Sequence, residues 1–307
     1  MCTARDQAFV LSSTICATPR TNEGGEFSDA STALALGPSK LRAERCSQPA
    51  SWASYIVTLM TSTGTVTLVA PLRTGISGSG AFLGVADDER QYWIKPANNP
   101  QGPRSLIPER VVARIGEKIG APVRPVALVT IPPGLQFTYQ PGYSLRPGLA
   151  HGSLHLDETM LVDDWRGKAA RDNNRRRAAF IAALWDLCLG TDEQWLSHFP
   201  EDAAIWSFDH GFWLGGEVDL SLAALRRVGD TPWEIDTLDT ASTVALRQAA
   251  AEVAALERED FIEACASVPI EWGTTESEMS ELADLLYNRK SGVAERLLQA
   301  AERSIHP

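Results

Sequence analysis

The sequence predicts an α+β fold, with its strands gathered in an early segment and its helices in a later one. Three observations carry this. From Thr65 to Lys95, short runs of apolar residues alternate with polar ones and are separated by Gly, Ser and Asp turns, the mark of half-buried strands. From Ala178 onward, apolar residues recur at helical spacing. The 307 residues are 44% hydrophobic and include nine tryptophans, enough for a sizeable core in one large or two modest domains.

The first strands are Val66-Leu68-Ala70, Ala81 to Ala86 and Gln91 to Lys95. Between the first two lies Thr74-Gly75-Ile76-Ser77-Gly78-Ser79-Gly80, a turn whose main-chain N–H groups can approach phosphate oxygens without Cβ obstruction. Glycine-rich hairpins also arise for steric reasons alone. Lys95 ends the apolar strand Tyr92-Trp93-Ile94, where a long cation reaches out of the sheet toward that loop. A helix from about Pro108 to Gly120 follows, with Val111, Val112, Ile115 and Ile119 as its apolar face and Glu109 in its first turn. Glu109 is placed to pair with Lys95, although an acid in a first turn is also favoured by the helix dipole without any partner. Gly120 reads as the helix stop and Val123 to Ile131 as the next strand.

Tyr139 to Ser153 is rich in Gly and Pro and reads as the crossing between the two segments. Boundaries are therefore expected at 1–59, an extension or tail; 60–145, a β-rich lobe; and 146–307, a helical lobe. Residues 1–59 show no sustained period, and Met60 is a candidate start for the folded body. Asp6 and the short run Ala8 to Leu11 argue against a signal peptide. Ala178 to Leu189 is a helix apolar on every side, Leu238 to Leu256 is an alanine-rich helix, and Phe261 to Ala266 is a short one. Met279, Leu282, Leu286, Val293 and Leu297 mark the last helices.

Between these helices, Trp195 to Phe199 and Ala203 to Phe208 read as two strands joined by Pro200-Glu201-Asp202. Asp192 stands before this hairpin and Asp209 directly after it. Two carboxylates so placed can converge on one cleft, the arrangement that phosphoryl transfer needs to orient an acceptor hydroxyl and hold Mg²⁺. The plainer reading is that Asp192 caps a turn and Asp209 closes a strand.

Taken in order, Gly75-Ile76-Ser77-Gly78-Ser79, Tyr92-Trp93-Ile94-Lys95, Ser105-Leu106-Ile107-Pro108-Glu109 and Phe208-Asp209-His210-Gly211 resemble HipA-like kinases, a group within the protein-kinase and phosphatidylinositol-kinase-like fold. The likeness runs from about Thr65 to the C-terminus, with Val268-Pro269-Ile270-Glu271-Trp272 and Leu285-Leu286-Tyr287-Asn288-Arg289 as its late motifs. The resemblance implies a bilobal kinase-like fold with a small β-rich N-lobe, a helical C-lobe, and ATP and Mg²⁺ as cofactors. It implies that Gly75, Ser77, Gly78 and Ser79 cover the nucleotide, that Lys95 contacts its phosphates and Glu109 steadies Lys95. Asp192 becomes the catalytic acid–base residue and Asp209 a Mg²⁺ ligand. The family's catalytic loop reads Asn-x-Asp-Arg-His-x-x-Asn; here Glu193-Gln194 replaces Arg-His, and Ser197 stands where the metal-binding Asn is expected.

The expected function is ATP- and Mg²⁺-dependent transfer of the γ-phosphate to a hydroxyl of a protein or small molecule. A nucleotide-binding pseudokinase is the alternative, and an interaction protein without nucleotide is a third reading. The formal charge of −11 argues against a nucleic-acid duplex or an anionic membrane as partner, and no apolar run approaches a membrane span. The five cysteines show no CxxC pair; Cys188 and Cys265, in helical patterns, are expected as buried free thiols in a reducing cytoplasmic compartment. His151 and His155 are expected on one loop without a third ligand for zinc, and His210 as a group that orients backbone. Ser77, Ser79 and Ser197 lack the His–acid partners of a hydrolase triad, and Trp206, Trp213 and Trp233 read as packing.

Overall fold

Alternation over Thr65–Thr74 (β1), Phe82–Ala86 (β2) and Gln91–Lys95 (β3) produces a meander, and it does so because its buried positions must meet on one side. A computed structural model describes residues 64–75, 78–162, 165–215, 220–233 and 235–303. Antiparallel pairs β1–β2 and β2–β3 are followed by Val126–Ile131 (β4), which lies parallel to β1, and Gly148–Leu154 (β7), which pairs with both β3 and β4. The order β1-β2-β3-β7-β4 closes into a barrel filled by Leu68, Phe82, Tyr92, Ile94, Val129 and Ala150. Thr138–Gln140 (β5) and Tyr143–Ser144 (β6) form a separate hairpin.

The stretch from Tyr139 to Ser153 is thus not a bare crossing. Its second half is β7, a barrel strand with neighbours on both sides, and the β-rich part extends to Leu154. Glycine there serves packing: a Cβ on Gly152 would stand 2.5 Å from a Val129 methyl. His151 accordingly sits in a strand, wholly buried, and not on a loop.

Helix α1, Leu106–Ile119, begins two residues earlier than its pattern suggested and ends at Gly120 in the left-handed conformation that glycine adopts without strain. Its apolar face joins the helical core and not the barrel core. Helix α2, Asn174–Leu187, is buried continuously from Ala178, which explains its lack of a polar face. It delivers the chain to Leu189 and Gly190. Thr159–Val162 (β8), Trp195–His198 (β9) and Ala204–Ser207 (β10) form a three-stranded antiparallel sheet in the order β10-β9-β8. Leu222–Val228 (α3), Thr243–Ala255 (α4), Arg258–Ala266 (α5) and Glu276–Arg303 (α6) complete the helical part. Ser242 caps α4 by accepting from the Ala245 N–H, so the expected alanine-rich helix starts five residues late, after a 3₁₀ turn at Asp236–Thr240. Cys188 and Cys265 are free and buried. No described helix is long and apolar enough to cross a membrane.

One ion network ties these helices together. Asp186 of α2 accepts from Arg289 and Arg296 of α6, at 2.9 and 2.7 Å. Arg289 also donates to the carbonyls of Gly229, Thr231 and Asp186, and Asp186 accepts from the Trp233 N–H at 3.2 Å. Removing the buried cation leaves these acceptors short of a donor, a loss of about 3 kcal/mol or more. Arg289→Met is therefore expected to lower stability in urea by about that amount. A change below about 0.5 kcal/mol would show that the network contributes little, as exposed pairs do.

Candidate active site

Three elements converge at the C-terminal end of β3. Lys95 is 8% exposed, and its ammonium lies between two carboxylates: it donates to Oε1 of Glu109 in α1 and to Oδ1 of Asp209, at 2.5 Å. Glu109, 2% exposed, uses its second oxygen to accept the His210 N–H at 3.0 Å. One glutamate thus joins the strand lysine to the backbone that follows β10. Burial pulls the Lys95 pKa down, but the charges of Glu109 and Asp209 outweigh it and hold the ammonium above its ordinary value.

The conformation around Asp209 is set by its neighbours. Asp209 has φ 57°, in the left-handed region that most side chains avoid, and this turns its carboxylate out of the strand's alternation toward Lys95. The following His210 is buried with its ring edge-on to Trp213, centroids 4.7 Å apart, and its Nε2 bonded to Ser207 Oγ at 2.8 Å. A Cβ on Gly211 would stand 3.4 Å from Glu109 Oε1, an ordinary contact, so this glycine lies directly against the glutamate.

Asp192 lies on the loop after α2, exposed, with φ 54°. Its Oδ2 accepts from Gln194 Nε2 at 2.9 Å. This loop is stitched to the segment after Asp209. Thr191 Oγ1 donates to the Phe212 carbonyl at 2.6 Å, the Leu214 N–H donates to Cys188, and the Phe208 N–H donates to Gln194. Gly190 fits flat on Trp185, where a Cβ would be 2.2 Å from the indole, and the Gly190 carbonyl accepts from Trp233 Nε1 at 2.7 Å. Asp192 and Asp209 therefore stand on one cross-linked platform.

The remaining expected residues divide. Gly75 closes the β1–β2 turn, its N–H donating to Ala81 O at 2.8 Å, and a Cβ there would stand 2.7 Å from that oxygen. Gly78 lies in the same turn and Ser79 is buried beside it, while Ser77 lies outside the described residues. Ser197 does not join the group. It is fully buried on β9, two residues from Trp195, whose side chain packs on Trp165 and Trp185 in the helical core. Alternation in a strand puts Ser197 on that same inward face, and its hydroxyl has no hydrogen-bond partner among the described residues.

Two groups stand beside the site that the sequence did not place there. Arg124, 7% exposed, follows α1 and stacks its guanidinium 5.2 Å over the Phe208 ring, with its Nε buried and unpartnered. Burial brings its pKa down to about 10 against the opposing pull of Glu109 and Asp209, so it remains a cation. His151, paired in register with Lys95, has Nε2 bonded to Ser153 Oγ at 3.0 Å and lies 3.9 Å from Glu109. Neither residue belongs to a sequence motif. Only the barrel closure and the docking of the α1–β4 turn bring them here.

Among the described residues no three His, Cys, Asp or Glu side chains form a metal cluster. Asp209 fits a hard cation that takes further ligands from phosphate and water, as Mg²⁺ does in nucleotide sites.

The buried imidazoles make stability depend on pH. Burial, with help from Lys95 and Arg124 against Asp209, depresses the His210 pKa to about 3, and burial also holds His151 well below its ordinary value. Both stay neutral in the fold while the unfolded chain binds a proton near pH 6.5. Their contribution is therefore complete above that pH and is lost as pH falls toward the folded value. Replacing His210 by Phe removes one such group. Between pH 7.5 and 5.5 the wild type should lose about 1.4 kcal/mol more stability than His210→Phe. Parallel curves would show that His210 does not titrate this way.

No protein-family model matches the chain, and no curated protein sequence matches it. Among solved structures, the Helicobacter pylori proinflammatory kinase CtkA is similar with a TM-score of 0.52, covering 79% of this chain and 98% of that one at 14% identity. A Golgi casein kinase gives a TM-score of 0.46, covering 81% and 77% at 12% identity. The Golgi casein kinase with Mn/ADP bound gives 0.42, covering 79% and 76% at 11% identity. At such identities likeness speaks of fold alone, and only the first score is high enough to use. With its strands early, its helices late and a kinase as structural neighbour, the chain has an α+β, kinase-like fold.

Proposed function

We propose that the chain is a HipA-like kinase, using ATP and Mg²⁺ to phosphorylate a hydroxyl of a protein Ser or Thr or of a small molecule. The observation that carries this reading is Lys95 held between buried Glu109 and Asp209. A lysine fixed by a helix glutamate next to a turn rich in main-chain donors is suited to anionic phosphates. Its second carboxylate, Asp209, is less buried than Glu109 and is free to exchange Lys95 for a metal.

In this reading Glu109 keeps Lys95 extended toward the phosphates, and the turn from Gly75 to Gly80 covers them. Mg²⁺, when bound at Asp209, supplies charge neutralisation of the phosphates. Asp192 accepts the proton of the acceptor hydroxyl as its oxygen bonds to the γ-phosphorus and the bond to the ADP leaving oxygen breaks. The Gln194 bond holds the Asp192 carboxylate in one orientation for that task.

One observation favours a second reading, a nucleotide-binding pseudokinase. Ser197, expected as a metal ligand, is buried on the core side of β9.

Lys95→Ala is expected to weaken ATP binding about ten- to a hundredfold, the value of a charge-assisted phosphate contact, in protein that remains folded. Unchanged affinity in a folded variant would contradict the assignment. Asp209→Asn and Asp192→Asn should then separate. The first loses the Mg²⁺-dependent part of nucleotide binding. The second keeps binding and loses transfer by about 10²–10⁴-fold, the range of a general base. If wild-type protein binds Mg·ATP but labels no acceptor in cognate lysate, the pseudokinase reading stands.

A further inference from the structure

The hairpin register raises the question of which side chain stands beside Asp209 at the open end of β9 and β10. Pairing runs from His198 with Ala204, next to the turn, to Trp195 with Ser207 at the open end. The Phe208 N–H carries the ladder one residue further by donating to the Gln194 carbonyl at 3.4 Å. Gln194 is therefore the residue across from Phe208, one step from Asp209. Ser197 pairs with Ile205, three residues up the strand and about 10 Å from that mouth.

The carboxamide of Gln194 is also oriented. Asp192, when ionised, only accepts hydrogen bonds, so the group facing its Oδ2 at 2.9 Å must be the Nε2 amino group. The Oε1 oxygen then points away from Asp192. No described residue donates to it, and Gln194 is partly exposed. A neutral amide oxygen is a ligand type that Mg²⁺ and Mn²⁺ accept.

We infer that Gln194, and not Ser197, is the amide residue of this site: its Oε1 faces the metal–phosphate assembly next to Asp209 while its Nε2 positions Asp192. The inference rests on the kinase reading. Counting five residues from Asp192 leads to Ser197 only if the loop has the family's length. Here β9 begins at Trp195, so the first residue outside the strand is Gln194. One side chain thus links the acceptor side of the cleft to its nucleotide side. Ser197 is left as a packed core residue.

The test follows metal dependence of nucleotide binding, not turnover. ATP affinity of the full chain is measured by calorimetry across Mn²⁺ concentrations, with ATP alone as the baseline. Gln194→Leu, which keeps bulk but has no oxygen, should raise the half-saturating Mn²⁺ about tenfold and leave the baseline unchanged. Gln194→Glu, which exchanges the amide oxygen for an anionic one, should lower it. Opposite shifts are expected of a group facing the metal, whereas a purely structural role moves both variants the same way. Ser197→Ala should bind as wild type does. Wild-type metal dependence in Gln194→Leu, or its loss in Ser197→Ala, would overturn the inference while leaving the kinase reading intact. A wild-type protein without metal-dependent ATP binding would overturn both.

Discussion

A buried and a partly buried carboxylate that meet on one ammonium are the constraint from which the site follows. Buried Glu109, left alone in this setting, would face a desolvation penalty of several kcal/mol, and Asp209 a smaller one. Lys95 relieves both only if β3, α1 and the end of β10 hold their relative positions. Each element brings its own reason to be there. β3 is fixed by pairing with β2 and β7, α1 by its apolar face in the helical core, and β10 by its pairing with β9. The barrel and the helical part are thus joined through charge at Lys95 and through packing at α1. Arg124 adds a second cation near the two acids, while His151 and His210 remain neutral. The cluster balances its charge internally without drawing on the imidazoles.

In the proposed function, the same balance would let Asp209 exchange its partner. Glu109 makes bonds to both Lys95 and the His210 backbone, whereas Asp209 is the more exposed acid and holds Lys95 through one oxygen. An incoming cation can take Asp209, and incoming phosphate can take Lys95, without the Lys95–Glu109 pair opening. The left-handed backbone at Asp209 is stored strain that serves this placement, stabilised by the Glu109 acceptor and the His210–Trp213 contact. The Asp192 loop is held to the same platform, so in the proposed function proton acceptance and phosphate binding would share a frame.

Much of this was legible in the sequence where the signal was local. Alternation marked β1, β2 and β3, and the end of an apolar strand singled out Lys95. An acid in the first turn of a patterned helix pointed to Glu109, and a strand ending in Asp-His-Gly pointed to Asp209. What was not legible depended on register or closure. The Gly- and Pro-rich stretch around Gly152 looked like a crossing, because the Val129 methyl that forbids a side chain there belongs to another strand. Ser197 was reached by counting along the chain, yet the side it faces is decided by where β9 starts. Arg124 carries no pattern at all. Its stacking on Phe208 exists only once the turn after α1 docks beside β10.

The central claim is that Lys95 is a shared cation whose Glu109 bond persists while its Asp209 bond is exchanged. A crystal structure with Mg²⁺ and a non-hydrolysable ATP analogue tests it most directly. The account requires the Lys95–Glu109 pair to be retained, with Lys95 on a phosphate oxygen and Asp209 on the metal. A nucleotide bound elsewhere, or phosphates in the cleft with the Lys95–Asp209 pair unbroken, would contradict it.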